Sequence, residues 1–191
     1  MDLKLVLQIV GVVLGLLYLW LEYKADIRLW IVGLVMPVVH GVLYFKSGLY
    51  ADFSMQIYYV LAGLYGLAVW HRGSASSKPE KRLDISHTPL KIVPLLVVAW
   101  VAVQTAIYYV LMTFTNSTVP FWDSLTTALC IVAYWMLSRK YAEQWLVWLA
   151  VDAVTVGLYI YKGIPLTAGL YSVYCILAVV GYRRWLKEIR N

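Results

Sequence analysis

The chain has 191 residues, 62% of them hydrophobic and 14% charged, with a mean hydropathy of +0.73. Soluble domains are roughly 45–50% apolar, so an ordinary water-soluble globule is excluded. The net charge of +6 comes from Lys and Arg scattered along the chain, not gathered in a stripe, which argues against a nucleic-acid partner.

Crossing a hydrocarbon layer takes about 20 mostly apolar residues, with roughly 17–25 tolerated. On that rule, spans are expected over residues 3–22, 27–45, 52–70, 93–113, 122–138, 144–161 and 165–182. They are expected to be helices: a helix satisfies its backbone internally, and the alternation of barrel strands is missing. The first run, LVLQIVGVVLGLLYLWL, has only Lys4 ahead of it and no small-x-small cleavage site, so it is kept as structure and not as a signal peptide. Pro37 and Pro94 fall inside spans, where a local kink is tolerated. His40 in the second span is either a ligand contact or a satisfied core histidine.

On the third span Asp52, Gln56 and Tyr59 are spaced i, i+4, i+7 and share a face. Gln56 brings two donors and an acceptor to membrane depth, and Asp52, at the outer end, either joins it or caps the helix. The stretch HRGSASSKPEKRLDISHTPLK, residues 71–91, reads as a flexible linker. Gln104 is the polar candidate of the fourth span. The sequon at Asn116 reads as a polar outer loop, and Glu143 beside Arg139 and Lys140 reads as an interfacial ion pair. Cys130 and Cys175 sit in apolar stretches without a CxxC, so neither a disulfide nor a metal site is expected. No nucleotide, zinc-hydrolase or nucleophile-elbow motif occurs, so no cofactor and no enzymatic activity are expected.

Counting Lys and Arg by side gives an orientation. The connections after spans 1, 3 and 5, with the C-terminal tail, carry 13 of the 16; only Lys4, Lys46 and Lys162 lie on the other side. The positive-inside rule then puts the C-terminus in the cytoplasm and the N-terminus outside.

Sliding the chain over itself by 115 residues aligns WIVGLVMPVVHGVLYFKSGLY from Trp30 with WLVWLAVDAVTVGLYIYKGIP from Trp145, without a gap. The same offset pairs Trp20 with Trp135, Tyr44 with Tyr159, Gly48 with Gly163, Tyr59 with Tyr174, Gly66 with Gly181 and Trp70 with Trp185. Such matches over three consecutive spans indicate an internal repeat. The expected fold is an all-α membrane protein of seven transmembrane helices in a 3+1+3 arrangement. Residues 1–70 and 122–191 are the two repeats, and 71–121 hold the cytoplasmic linker and connecting helix. A single linking helix makes the copies parallel, as in the SWEET transporters, whose sites lie between repeats near the bilayer midplane.

On a helical wheel Trp145, Trp148, Asp152 and Tyr159 fall at about 0°, −60°, −20° and −40°, on one face. An acid at that depth is expected to face a cavity or a partner. Indole faces attract organic cations, so the set suits a flat, positively charged ligand; the alternative is that Asp152 pairs with a neighbouring Tyr or Lys for packing. Under the offset Asp152 matches Pro37 and Trp148 matches Gly33, so the first copy lacks both groups. Tyr171 and Tyr174 of the seventh span match Gln56 and Tyr59, and either line the path or fill the core.

The stretches RKYAEQWLVWLAVDAVTVGLYIYKG, LYSVY and SGLYADFSMQIYYVLAGLYGLAVW resemble the PnuC family of bacterial vitamin transporters over nearly the whole chain. The resemblance implies a SWEET-like fold in the bacterial inner membrane, facilitated diffusion of a vitamin, trapping by a cytoplasmic kinase, and scope for a homotrimer. Family members that carry nicotinamide riboside have asparagine at the end of the W-x-x-W-x-x-x-[N/D] motif, where this chain has Asp152. That departure is similar to the thiamine-carrying branch and makes thiamine the expected substrate, with nicotinamide riboside the alternative. A non-transporting membrane protein is the rival class.

Overall fold

The computed structural model describes residues 3–46, 50–74, 83–115, 117–161, 163 and 165–190. Its helices, in chain order, are α1 (Leu3–Tyr23), α2 (Arg28–Lys46), α3 (Tyr50–Ser74), α4 (Val93–Phe114), α5 (Pro120–Ser138), α6 (Gln144–Tyr161) and α7 (Pro165–Arg190). Every expected span is a helix. α3 and α7 run on past residues 70 and 182, because hydropathy marks where a segment stops being apolar, not where its hydrogen bonding stops. The last turns of α7 carry an Arg184–Glu188 ion pair of 3.1 Å, spaced i, i+4, which suits an exposed helix end. Asn116 and Gly48 lie outside the described residues, as do the side chains of Tyr44 and Asp52.

Two compact units are present, residues 1–83 and 84–191. In the second, α4 packs on α5, α5 on α6 and α6 on α7. α4 thus goes with the later helices. It buries none of its residues, and its apolar window has a mean hydropathy of 2.0. A surface of Leu95, Val98, Val101 and Tyr109, all at least half exposed, is at home in lipid and not in water. Among the described residues, α4 and α6 are each long and apolar enough to cross a membrane. Hydroxyls along these helices are satisfied within them. Thr105 donates to the Val101 carbonyl at 2.8 Å, Thr127 to Asp123 at 2.7 Å, Thr155 to Val151 at 2.7 Å and Ser172 to Ala168 at 2.9 Å. Such backward bonds keep these four hydroxyls from being stranded in hydrocarbon.

In the first unit α1 ends at a tight corner. Ala25 adopts a left-handed φ of 50°; its N–H donates to the Glu22 carbonyl, and the Asp26 N–H donates to Leu21, both at 2.9 Å. This is the Schellman closure, which satisfies the carbonyls a helix end would otherwise strand. Asp26 then caps α2, accepting from the Arg28 backbone N–H at 2.9 Å and from its guanidinium at 2.6–3.1 Å. Hydrogen bonding to Arg28 holds the Asp26 carboxyl below the usual aspartate range. One turn on, Trp30 is 1% exposed and meets Trp70 of α3 edge to face, ring centres 5.7 Å apart at 86°. Its ring lies so close over Gly66 that an added Cβ would sit 2.3 Å from it.

The second unit holds the same construction 115 residues later. Lys140 has φ 55°; its N–H donates to Leu137 at 2.9 Å and the Tyr141 N–H to Met136 at 3.1 Å. Trp145, 2% exposed, meets Trp185 edge to face at 5.9 Å and 90°. It covers Gly181, where an added Cβ would approach within 2.6 Å. α5 feeds this core through Ser124, Ala128, Val132 and Met136, a buried row at i, i+4 spacing whose small members admit a neighbouring helix.

These contacts predict opposite effects for one substitution at different glycines. Gly66→Ala and Gly181→Ala should each destabilise by about 1–3 kcal/mol, since the indole must shift. Gly157→Ala and Gly169→Ala meet nothing within 4 Å, and should leave stability unchanged or raise it by up to about 1 kcal/mol. Thermal unfolding of the detergent-purified variants checks this, and equal melting temperatures for all four would contradict it.

Candidate functional site

The chemistry of the second unit gathers along α6. Its corner fixes where the helix starts: the Gln144 N–H donates to the Tyr141 carbonyl and the Trp145 N–H to Ala142, both at 3.2 Å. From there the side chains take separate roles. The Trp145 ring is committed to Gly181 and Trp185, as described above. Trp148 is half-buried and meets Tyr134 of α5 edge to face, 5.6 Å between centres at 79°. One turn further, Asp152 is 8% exposed. Among the described residues, no hydrogen bond or ion pair involves its carboxylate.

What surrounds Asp152 is aromatic and polarisable. Tyr171, Tyr174 and Cys175 of α7 and Cys130 of α5 all lie within its electrostatic reach. Tyr159 stacks on Tyr171 at 5.6 Å and 16°, and Tyr171 meets Tyr174 edge to face at 5.5 Å and 77°. A buried carboxylate costs several kcal/mol unless a counter-charge meets it, and aromatic faces add about 0.5–2 kcal/mol for a cation placed against them. Such an arrangement has the chemistry to take an organic cation. A donor is available too: the indole N–H of Trp148 has no partner among the described residues.

The structure brings Trp148, Asp152, Tyr159, Tyr171 and Tyr174 together in the second unit. Gln104 is half-buried on α4 of that unit. Gln56, Tyr59 and His40 belong to the first unit. There Gln56 lines a cleft of about 200 Å³ between α2 and α3, with Pro37, Gly41 and Phe53. Tyr59 meets Tyr58 edge to face at 5.5 Å and 63°, and His40 is half-buried on α2.

Two residues escaped the sequence reading. Tyr134 carries no signal that separates it from any other aromatic in an apolar span. Gln144 does. It is fully buried, with neither amide atom hydrogen-bonded among the described residues, and with Trp148 and Asp152 it forms an i, i+4, i+8 row. The residues 115 positions earlier are Leu29, Gly33 and Pro37, so one row is polar or aromatic where its match is apolar or small.

Just ahead of Gln144, Glu143 does not pair with Arg139 or Lys140 as expected. It reaches residues 87 and 88: His87 Nδ1 lies 2.7 Å from its Oε1, and the Thr88 N–H and hydroxyl donate to its Oε2 at 2.7 and 2.8 Å. Burial pushes the Glu143 carboxyl up, but the bonds from His87 and Thr88 outweigh it and hold the group below the usual glutamate range. The expected flexible linker is thus fastened over its last residues: the Ser86 N–H donates to Lys140 at 3.1 Å and the Ala142 N–H donates to Ser86 at 2.9 Å.

A family described as Nicotinamide mononucleotide transporter matches residues 5–187. The chain is 27% identical to a nicotinamide riboside transporter PnuC of Escherichia coli (strain K12), covering 97% of this chain and 87% of that one. It is 26% identical to the Neisseria mucosa protein of the same name, over 95% and 72%. A riboflavin/roseoflavin transporter RibM of Streptomyces davaonensis is 26% identical, over 96% and 86%. Among solved structures, the crystal structure of the vitamin B3 transporter PnuC matches with a TM-score of 0.70 at 24% identity, covering 93% of this chain and 79% of that one, which shows a shared fold.

The Glu143 clamp should titrate in one direction only. Because its folded pKa is lowered, its contribution is complete above the ordinary value of 4.5 and is lost as pH falls through the folded value. Hydrogen exchange at the Thr88 amide should therefore stay slow down to about pH 4.5 and quicken only in stronger acid. A Thr88 amide that exchanged rapidly at pH 6 would contradict the assignment.

Proposed function

Because the chain belongs to the nicotinamide mononucleotide transporter family, and so is a membrane vitamin transporter and not an enzyme, we propose that it carries a flat cationic vitamin by facilitated diffusion. Nicotinamide riboside is the substrate this reading favours, since relatives over nearly the full chain are named for it. Thiamine, the substrate expected from Asp152, appears in none of the names given above. The observation that carries the reading is the buried, unpaired Asp152 carboxylate among Trp148, Tyr159, Tyr171 and Tyr174.

On this reading a pyridinium ring lies against Trp148 with Asp152 as its counter-charge, and the tyrosines offer hydroxyls to the sugar. Gln104, in the same unit, offers it an amide; Gln56, Tyr59 and His40 are proposed as substrate contacts of the first unit. Trp145 serves as the post that holds α6 in place. The two units derive from parallel repeats, residues 1–70 and 122–191 joined through 71–121, in a SWEET-like 3+1+3 plan with the C-terminus in the cytoplasm of a bacterial inner membrane. Support for the repeat comes from the duplicated left-handed corner and the duplicated Trp–Trp–Gly contact. Transport is uniport, drawn inward by phosphorylation after entry.

Thiamine remains a second reading on one observation: the acid at position 152, where an amide would suffice for a riboside. The two separate cleanly by titrating the purified protein with nicotinamide riboside, thiamine and riboflavin, then repeating the titration with Asp152→Asn. The riboside should bind tightest to the unaltered protein and lose no more than a few-fold in the variant, because the amide removes the carboxylate's desolvation cost together with its charge, and its oxygen still accepts from the sugar hydroxyls. Tighter thiamine binding that falls about 10- to 100-fold in Asp152→Asn would instead select thiamine, the size expected for losing a bond to a charged group. Riboside flux into proteoliposomes that did not change in the Trp148→Ala variant would remove α6 from the site altogether.

A further inference from the structure

Residues 83–92 are held from both ends. After Thr88 the chain turns at once into α4, with the Ile92 N–H donating to Pro89 at 3.0 Å and the Val93 N–H to Leu90 at 3.3 Å. Before it, Ser86 pairs with Tyr141 as an isolated parallel bridge. Between these, Glu143 accepts from Thr88 twice and meets His87 once, with no contact longer than 2.8 Å. A surface ion pair would not merit notice. This one differs, because one carboxylate takes a backbone N–H, a hydroxyl and an imidazole, and the backbone bond fixes the segment whatever the side chains do.

The position of Glu143 gives the grip its consequence. Its carbonyl accepts the Leu146 N–H at 3.0 Å and the Val147 N–H at 3.3 Å, so the same residue opens the hydrogen-bond ladder of α6. Ala142 and Gln144 on either side are fully buried. The corner before it turns on a non-glycine residue in the left-handed region, Lys140, a conformation costing about 1–2 kcal/mol that its surroundings must offset. Trp145, two residues on, anchors α6 to α7, and Trp148 and Asp152 follow at five and nine residues. A helix held at its first turn keeps the azimuth of every side chain along it.

We propose that Glu143 is a positioning residue of the transport site, which by gripping His87 and Thr88 sets the first turn of α6 and with it the Trp148–Asp152 face. The proposal rests on the transport reading above. It assigns a role to the linker: residues 83–92 are a brace between the start of α4 and the start of α6. Matching residues 115 positions earlier use a different device, the Asp26–Arg28 pair, which closes locally and reaches no distant segment.

The test uses the full chain in detergent and in proteoliposomes. Glu143→Ala should raise amide exchange in residues 83–92 and in 144–147 together, and weaken nicotinamide riboside binding by about fivefold or more, the scale of a lost bond to a charged group. Glu143→Gln, which keeps an acceptor for Thr88, should restore affinity to within about twofold, a rescue that tracks acceptor geometry and not charge. His87→Ala alters an exposed side chain and leaves the buried core untouched, so it covers the case in which Glu143→Ala fails to fold; it should raise exchange in both segments by a smaller factor. Pairing His87→Ala with Glu143→Gln should give less than the sum of the two effects, because both act on one contact. Exchange that rises in 83–92 while 144–147 stays protected would overturn the proposal, as would native affinity in Glu143→Ala. If the unaltered protein binds neither riboside nor thiamine, the transport reading fails, and the exchange data alone decide whether Glu143 ties the linker to α6.

Discussion

Hydrocarbon offers no hydrogen bond, so every polar group carried into it must find its partner inside the chain. That constraint explains why the chain is helical wherever it is apolar and why its threonines and serines bond back to their own helices. It also explains why the corners close with Schellman bonds: a helix end near the membrane surface cannot leave its carbonyls unmet. Against this background an unsatisfied group stands out. On α6 the exceptions cluster: the Gln144 amide and the Trp145 and Trp148 indole N–H groups have no partner among the described residues, and Asp152 adds a carboxylate, whose cost persists only where something else meets the charge.

Lipid tails are as apolar as leucine, so helices in a membrane associate through close packing and not through burial from water. The two Trp–Trp–Gly contacts answer that need. A glycine removes the Cβ, an indole lies in the space, and a second indole meets it edge to face, an arrangement that adds about 0.5–1.5 kcal/mol beyond area. One such contact joins α2 to α3 and another joins α6 to α7. Each follows one turn after a left-handed corner, so the entry point of the helix and its lateral contact are fixed within a few residues of each other.

The seven helices were legible because hydropathy and length are one-dimensional properties, and a membrane leaves few alternatives for a long apolar run. The Trp and Gly matches at an offset of 115 were legible for the same reason. What the wheel could not do was separate Trp145 from Trp148. Both fall on one face, and only packing assigns the first to Gly181 and leaves the second beside Tyr134. The partner of Glu143 was equally hidden: Arg139 and Lys140 are near in sequence, whereas His87 lies 56 residues away. The linker looked flexible since its composition is polar and its anchor is a tertiary contact. Depth alone marked Asp152 as the feature to watch, and its identity as an acid did not fix the vitamin, because nicotinamide riboside and thiamine are both cations.

One difference between the two units falls on a single row. At matched positions, corner, indole and glycine agree: Ala25 with Lys140 in backbone, Trp30 with Trp145, Gly66 with Gly181, Trp70 with Trp185. Between those fixed points, Leu29, Gly33 and Pro37 stand against Gln144, Trp148 and Asp152. Leu29 and Gln144 are both fully buried, yet one is apolar and the other carries an amide with both ends unbonded. An unpaired buried amide is tolerated only against a return elsewhere. Three such residues at i, i+4, i+8 on a frame that its match uses without them argue that polarity was laid onto an existing scaffold. The frame fixes α6 through its corner and its indole contact, so on the proposed reading the row would meet a ligand on a helix whose azimuth is already set. Preorganisation of that kind lets one carboxylate and a few rings discriminate by charge and shape without a large conformational cost at binding.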